Sequence, residues 1–161
     1  MKYAKALFLV LLVLHFSCKE KSEKIIETAP PTFTKEGILT ITKAIDNEVI
    51  SFEIEIAETE YEVQTGLMDR DSMKDNQGML FIFPDVAVHS FYMKNTKIPL
   101  DIIYIAENLK IASFAENAKP LDEAGLSSQV PIQYVLEINA GLAEKFLLEI
   151  GDKVEFERIT N

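Results

Sequence analysis

Between Gly78 and Ala106 the chain reads GMLFIFPDVAVHSFYMKNTKIPLDIIYIA, two apolar runs, Met79 to Phe83 and Ile102 to Ala106, separated by the polar insert Lys94-Asn95-Thr96-Lys97 and closed by Pro99-Leu100-Asp101. Runs this short, bounded by Gly and Pro, fit buried strands. A polar cluster between two buried strands must lie at an edge, where water or a ligand can satisfy it. One segment therefore supplies both a core and the first candidate site.

The rest of the chain extends the same pattern. Ile50, Phe52, Ile54 and Ile56 alternate with Ser51, Glu53 and Glu55, the period of a strand with one wet face. Shorter strands are expected at Ile38 to Ile41, Gly78 to Phe83 (ended by Pro84), His89 to Met93, Ile132 to Ile138 and Lys153 to Ile159, with Asp101 to Ala106 and Lys110 to Ala115 as a hairpin. Thr59 with Glu62 fits a capping box that starts one short helix ending near Gly66; Asn139 is placed to cap a second, presenting Leu142, Phe146 and Leu147. Residues Glu116 to Val130, with Pro120 and Gly125, read as a long loop. About eight short strands and two short helices predict a mainly β fold, a small single-domain β-sandwich or barrel, because a parallel α/β sheet would need helices between most strands.

The N-terminus predicts export. Lys2 and Lys5 precede an unbroken apolar run from Ala6 to Leu14, too short to cross a bilayer, then His15-Phe16-Ser17-Cys18. Cys18 is the single cysteine, so no disulfide can form within one chain, and its position resembles a bacterial lipoprotein signal in which the cysteine becomes the lipidated N-terminus. Residues 1–18 are thus expected to be a lipoprotein-type signal peptide. Residues 19–36, charged and carrying Pro30-Pro31, are expected to be a flexible tether, and residues 37–161 a single globular β-rich domain. The expected location is the bacterial cell envelope, with the domain in the periplasm or on the surface and its acyl chains in the membrane.

Charge excludes one class of partner. The chain carries 16 basic and 26 acidic residues, a formal net charge of −10, and loss of Lys2 and Lys5 with the leader makes the balance more acidic still. Such a surface is repelled by phosphate backbones, so nucleic acid is not an expected partner.

Several constellations could carry chemistry. His89 is the sole histidine beyond the leader, which rules out a histidine cluster for zinc, and no cofactor or metal is expected. A Ser-His-Asp site would have to use His89, but Ser90 would face the other side of a strand; a partly buried, hydrogen-bonded histidine is the simpler reading. Arg70 with Lys94, Asn95 and Thr96 would make a cradle of donors for an anion or a sugar. The competing reading pairs Arg70 with Asp101 or Asp71 and makes Asn95-Thr96 a turn. Asp101 and Glu137, each flanked by apolar strand residues, could act as acid and base on a glycan if they faced one cleft. Met68, Met79 and Met93 with His89 could hold Cu(I), although methionine is also ordinary filler in irregular cores.

The segment from Glu58 to Ile105 resembles the domain of unknown function 192 family of small bacterial and archaeal proteins. The resemblance rests on Gly66-Leu67-Met68-Asp69-Arg70, Gly78-Met79-Leu80-Phe81-Ile82-Phe83, Phe91-Tyr92-Met93-Lys94-Asn95-Thr96 and Ile98-Pro99-Leu100-Asp101, with Val135-Leu136-Glu137-Ile138-Asn139-Ala140-Gly141 and Gly151-Asp152 downstream. Tyr92 stands where the family commonly has Trp. The resemblance implies a compact β-rich fold and no activity, and it directs attention to Arg70, Lys94, Asn95, Thr96 and Asp101. The expectation is a non-enzymatic binding or accessory module, membrane-tethered through Cys18, that takes a small anion, a saccharide or a protein segment at those five residues. An envelope enzyme using Asp101 and Glu137 and a Cu(I)-binding protein are the alternatives.

Overall fold

The computed structural model describes residues 31–159, so the leader, Cys18 and residues 19–30 of the expected tether lie outside the described residues. In chain order the elements are β1 (Gly37–Thr42), β2 (Val49–Ala57), α1 (Glu60–Thr65), β3 (Gln77–Ala87), β4 (Ser90–Phe91), β5 (Leu100–Ile105), β6 (Ile111–Ala118), β7 (Leu126–Ser127), β8 (Ile132–Asn139), α2 (Leu142–Lys145) and β9 (Lys153–Arg158). Seven strands form one sheet in the order β6-β5-β8-β3-β2-β1-β9, and β4 pairs with β7 in a small second sheet.

The large sheet is a half-barrel. Its two edge strands meet at one end, where Ile111 N–H donates to Asp152 O (3.0 Å), Gly151 N–H to Ile111 O (2.9 Å) and Val154 N–H to Leu109 O (2.8 Å). The fold is mainly β, as the strand pattern predicts. β2 and β3 are nevertheless parallel, with α1 in the crossover between them. Parallel neighbours need such a crossover, and the capping box supplies its helix: Thr59 accepts from Glu62 N–H, and the Glu62 carboxylate accepts from Thr59 N–H at 2.9 Å.

Each face of the sheet carries its own apolar cluster. Leu39, Ile41, Phe52, Ile54, Ile103, Leu136 and Val154 pack inside the curl with Leu142 and Ala143 of α2. Leu67, Met79, Phe81, Met93, Ile102, Tyr104 and Val135 pack on the opposite face, beneath α1 and the β4–β7 pair. Side chains on a strand alternate between faces, so these clusters fix which way every strand residue between them points.

Several elements differ from the sequence reading. β3 runs through Pro84 to Ala87, with a register shift against β8 after Ile82, because an irregularity removes the need for the amide that proline lacks. The strand expected at His89 to Met93 shrinks to Ser90–Phe91, and the expected loop after Glu116 contains the end of β6 and all of β7. Gly141, not Asn139, precedes α2; the Asn139 amide instead donates to Met73 O at 2.8 Å, tying β8 to the loop before β3. Leu147 is exposed and not part of the core.

Candidate functional site

A cavity of about 210 Å³ opens on the second face, between α1 with its following loop and the β3–β4 region. Phe81, Phe83 and Phe91 form its aromatic wall, Leu67 and Met68 come from the loop after α1, and Glu137 reaches it from β8. The rings meet at steep angles: Phe81 and Phe91 are 5.1 Å apart and 85° between planes, and Phe83 and Phe91 are 6.1 Å apart and 90°. His89 stacks on Phe83 at 3.8 Å and 21°. No lysine or arginine lines the cavity among the described residues.

The local sequence explains why the cavity stays open beside α1. Gly66 ends the helix at φ 47°, and a Cβ there would lie 3.1 Å from Phe81 Cζ. Only glycine combines that backbone with that proximity at little strain. On the other side, the Tyr104 hydroxyl donates to Leu126 O at 2.7 Å and holds β7, and thereby its partner β4, over the sheet.

Register places two carboxylates on this face. Glu55 of β2 pairs with Met79 of β3, Met79 with Glu137 of β8, and Glu137 with Ile102 of β5, so these four residues form one row across the sheet. Arg70 Nη1 lies 2.7 Å from Glu55 Oε2, with both side chains buried. That approach is short, but the N–H is not aligned on the oxygen, so the contact is an ion pair and not a linear hydrogen bond, and Arg70 Nε has no acceptor. Glu55 Oε1 also accepts from Thr34 N–H at 3.0 Å.

Glu137 differs. It is only 5% exposed and has no hydrogen-bond or ion-pair partner among the described residues. Burial without a compensating charge pushes its carboxyl up to about 8, so it is protonated at neutral pH. The same burial, with the nearby Glu137 carboxyl adding to it, raises the Tyr104 phenol well above its ordinary range.

The residues singled out in the sequence are dispersed. One backbone bond and one ion pair do bring the two loops together, since Asp69 N–H donates to Asn95 O (2.9 Å) and Lys97 Nζ lies 3.2 Å from the Asp71 carboxylate. Their side chains do not converge. Arg70 turns inward to Glu55, a partner the sequence reading did not consider, and not to Asp101 or Asp71. Lys94 and Asn95 are exposed, with Asn95 in a left-handed turn conformation at φ 57°. Thr96 is buried and lines the cavity.

Asp101 pairs in register with Ile138 and so faces the curl, where its two oxygens accept from Asn117 N–H (2.8 Å) and Ala143 N–H (2.9 Å). It is a structural acceptor that ties β6 and α2 to β5. Asp101 and Glu137 therefore point to opposite faces and do not share one cleft.

The residues of the Cu(I) alternative are divided between the cavity lining and the core. Met68 and His89 line the cavity, but Met79 and Met93 are packed in the core of the second face. Among the described residues His89 Nε2 is buried without a hydrogen bond, and the Asp85 carboxylate is 3.8 Å away, contrary to the expectation of a satisfied histidine. No group of three or more acidic, histidine or cysteine side chains suited to a metal occurs among the described residues.

These features define a half-barrel β protein with a small aromatic cavity on its convex side. The chain belongs to the domain of unknown function 192 (DUF192) family, described as an uncharacterized ACR, whose model matches residues 41–156. Two solved structures are similar. One is a protein of unknown function from Novosphingobium aromaticivorans DSM 12444, with 36% identity, a TM-score of 0.73, and coverage of 80% of this chain and 94% of that one. The other, from Sinorhizobium meliloti 1021, is described provisionally as a transcription regulator; it has 32% identity, a TM-score of 0.74, and coverage of 78% and 98%. No match was found among curated proteins.

Proposed function

We propose that this protein is a non-enzymatic binding module of the cell envelope, anchored through lipidated Cys18, and that its binding site is the aromatic cavity with Glu137 in its lining. The observation that carries the reading is a largely buried carboxyl in the lining of a mostly apolar cavity, with no hydrogen-bond or ion-pair partner among the described residues. Unpaired buried acids are costly, and they persist where something other than stability is selected. A cavity of this size exceeds the ~150 Å³ void that accommodates benzene, so it admits one small, largely apolar group with a single polar feature.

An anion is a poor match, because a carboxyl lines the cavity and no cation does. The five-residue polar site is accordingly replaced by Thr96 together with Phe81, Phe83, Phe91, His89 and Glu137.

The test is NMR mapping of a library of small uncharged and charged fragments on the purified protein. Binding confined to the resonances of Phe81, Phe91 and Glu137 supports the proposal; fragments that all map elsewhere, or none that bind, refute it. Mass spectrometry of the mature N-terminus tests the anchor separately, which requires a diacylglyceryl adduct on Cys18.

A further inference from the structure

We infer that the cavity is an aromatic cage for a quaternary or fully methylated ammonium group, so that the ligand is a small organic cation with Glu137 as its counter-ion. This inference rests on the cavity being the binding site, and it assigns the chemical class of the occupant.

Three observations converge. Around one cavity the Phe91 ring stands near-perpendicular to both Phe81 and Phe83, with centroids 5.1 and 6.1 Å away. Rings disposed in different planes can enclose a compact, roughly spherical group better than a flat one, and their electron-rich faces attract a weakly hydrated cation. Glu137, more than nine-tenths buried, supplies a carboxyl with no cation of the protein assigned to it, whereas Glu55 in the same row already has Arg70. A methylated ammonium has no N–H to satisfy, so it needs charge and apolar contact, and the lining supplies both through Glu137, its one acid, and the three phenylalanines. Tyr92 lies in the lining and is exposed, so its hydroxyl is available to a polar arm on the ligand.

The energetic logic is a proton exchanged for a ligand. In the free protein the Glu137 carboxyl is held neutral, at about 8, by burial. A cation beside it stabilises the ionised form, so binding releases a proton below that pH. The titratable and charged groups sharing this face are Tyr104 on β5, which stays neutral, Tyr92 and His89 in the lining, and the Glu55–Arg70 pair beyond Met79.

The experiment compares choline with its uncharged carbon isostere, in which a tert-butyl group replaces trimethylammonium, by calorimetry and by aromatic NMR shifts on the full protein. At about pH 9 choline is expected to bind about tenfold or more tighter than the isostere. Its affinity should fall by up to about tenfold per pH unit below 8, while that of the isostere stays constant. Glu137→Gln should abolish the pH dependence and reduce the preference to what the rings alone supply, and Phe91→Leu should weaken choline in a protein whose thermal melt confirms folding. Equal affinity for the two ligands overturns the cationic assignment and leaves the cavity as an apolar site. Failure of both ligands to move the Phe81, Phe83 and Phe91 resonances overturns the assignment and the site together.

Discussion

Glu55 and Glu137 stand in one row on the same face of the sheet, separated by Met79, yet only Glu55 has a cation, Arg70 at 2.7 Å. One strand lies between them, so two inter-strand spacings, roughly 10 Å, put them too far apart for one guanidinium to serve both directly. The fold thus neutralises one buried acid within the protein and leaves the other facing a cavity.

The paired acid should be structural. Removing Arg70 alone, as Arg70→Met, leaves a buried carboxylate without its partner and is expected to cost about 3–5 kcal/mol. Replacing both members, Glu55→Leu with Arg70→Met, should cost much less than the two single changes added together. Urea denaturation of the two singles and the double closes the cycle; simple additivity would show that the pair is not coupled.

The unpaired acid should make stability depend on pH. Its folded value of about 8 lies above the ordinary 4.5, so the native state holds a proton that the unfolded chain has lost between those limits. The stabilising contribution is fully present below about 4.5, declines as pH rises, and is lost once pH passes 8. Glu137→Gln should flatten this decline, by on the order of 1 kcal/mol per pH unit at most, since other groups titrate as well. Thermal melts of both proteins across that range provide the check, and parallel profiles would show that Glu137 is not the group responsible.

Asp101 should matter for folding and not for binding. Its carboxylate satisfies two backbone amides, those of Asn117 and Ala143, within the curl. Asp101→Ala is expected to destabilise by about 2–4 kcal/mol by orphaning both. The folded fraction should nevertheless keep the fragment-binding pattern of the parent, because the cavity lies on the other face; a changed pattern at full folding would place Asp101 in the site after all.

The roof of the cavity should be sensitive at Gly66. Gly66→Ala places a methyl 3.1 Å from Phe81 Cζ on a backbone at φ 47°, for an expected loss of about 1–3 kcal/mol and a narrowed cavity. Chemical-shift changes at Phe81 and a lowered melting temperature are the expected signs. An unchanged melt would show that α1 can retreat without penalty.

Much of the scaffold was legible because period and turn chemistry are local. Ile50 to Ile56 announced β2, Thr59 and Glu62 announced α1, and the two runs around Glu107 announced the β5–β6 hairpin. The family motifs from Gly66 to Asp101 also contain most of the cavity wall. What failed was the assignment of faces. β5 is buried at every position from Leu100 to Ile105, so no alternation between wet and dry reveals which way Asp101 points. Only its pairing with Ile138, a long-range register, settles that. The Glu55–Arg70 partnership was hidden for the same reason: Glu55 read as the wet side of an alternating strand, while the loop carrying Arg70 covers that side. Glu137 was recognised as an acid held among apolar residues, but its isolation from any partner depends on what the neighbouring strands present.

The central claim is that Glu137 is an uncompensated carboxyl in the aromatic cavity, and the most direct measurement is its titration by carboxyl carbon NMR. The predicted midpoint in the free protein is about 8, moving down when choline saturates the site. A midpoint near the ordinary 4.5, unmoved by the cation, would contradict the account.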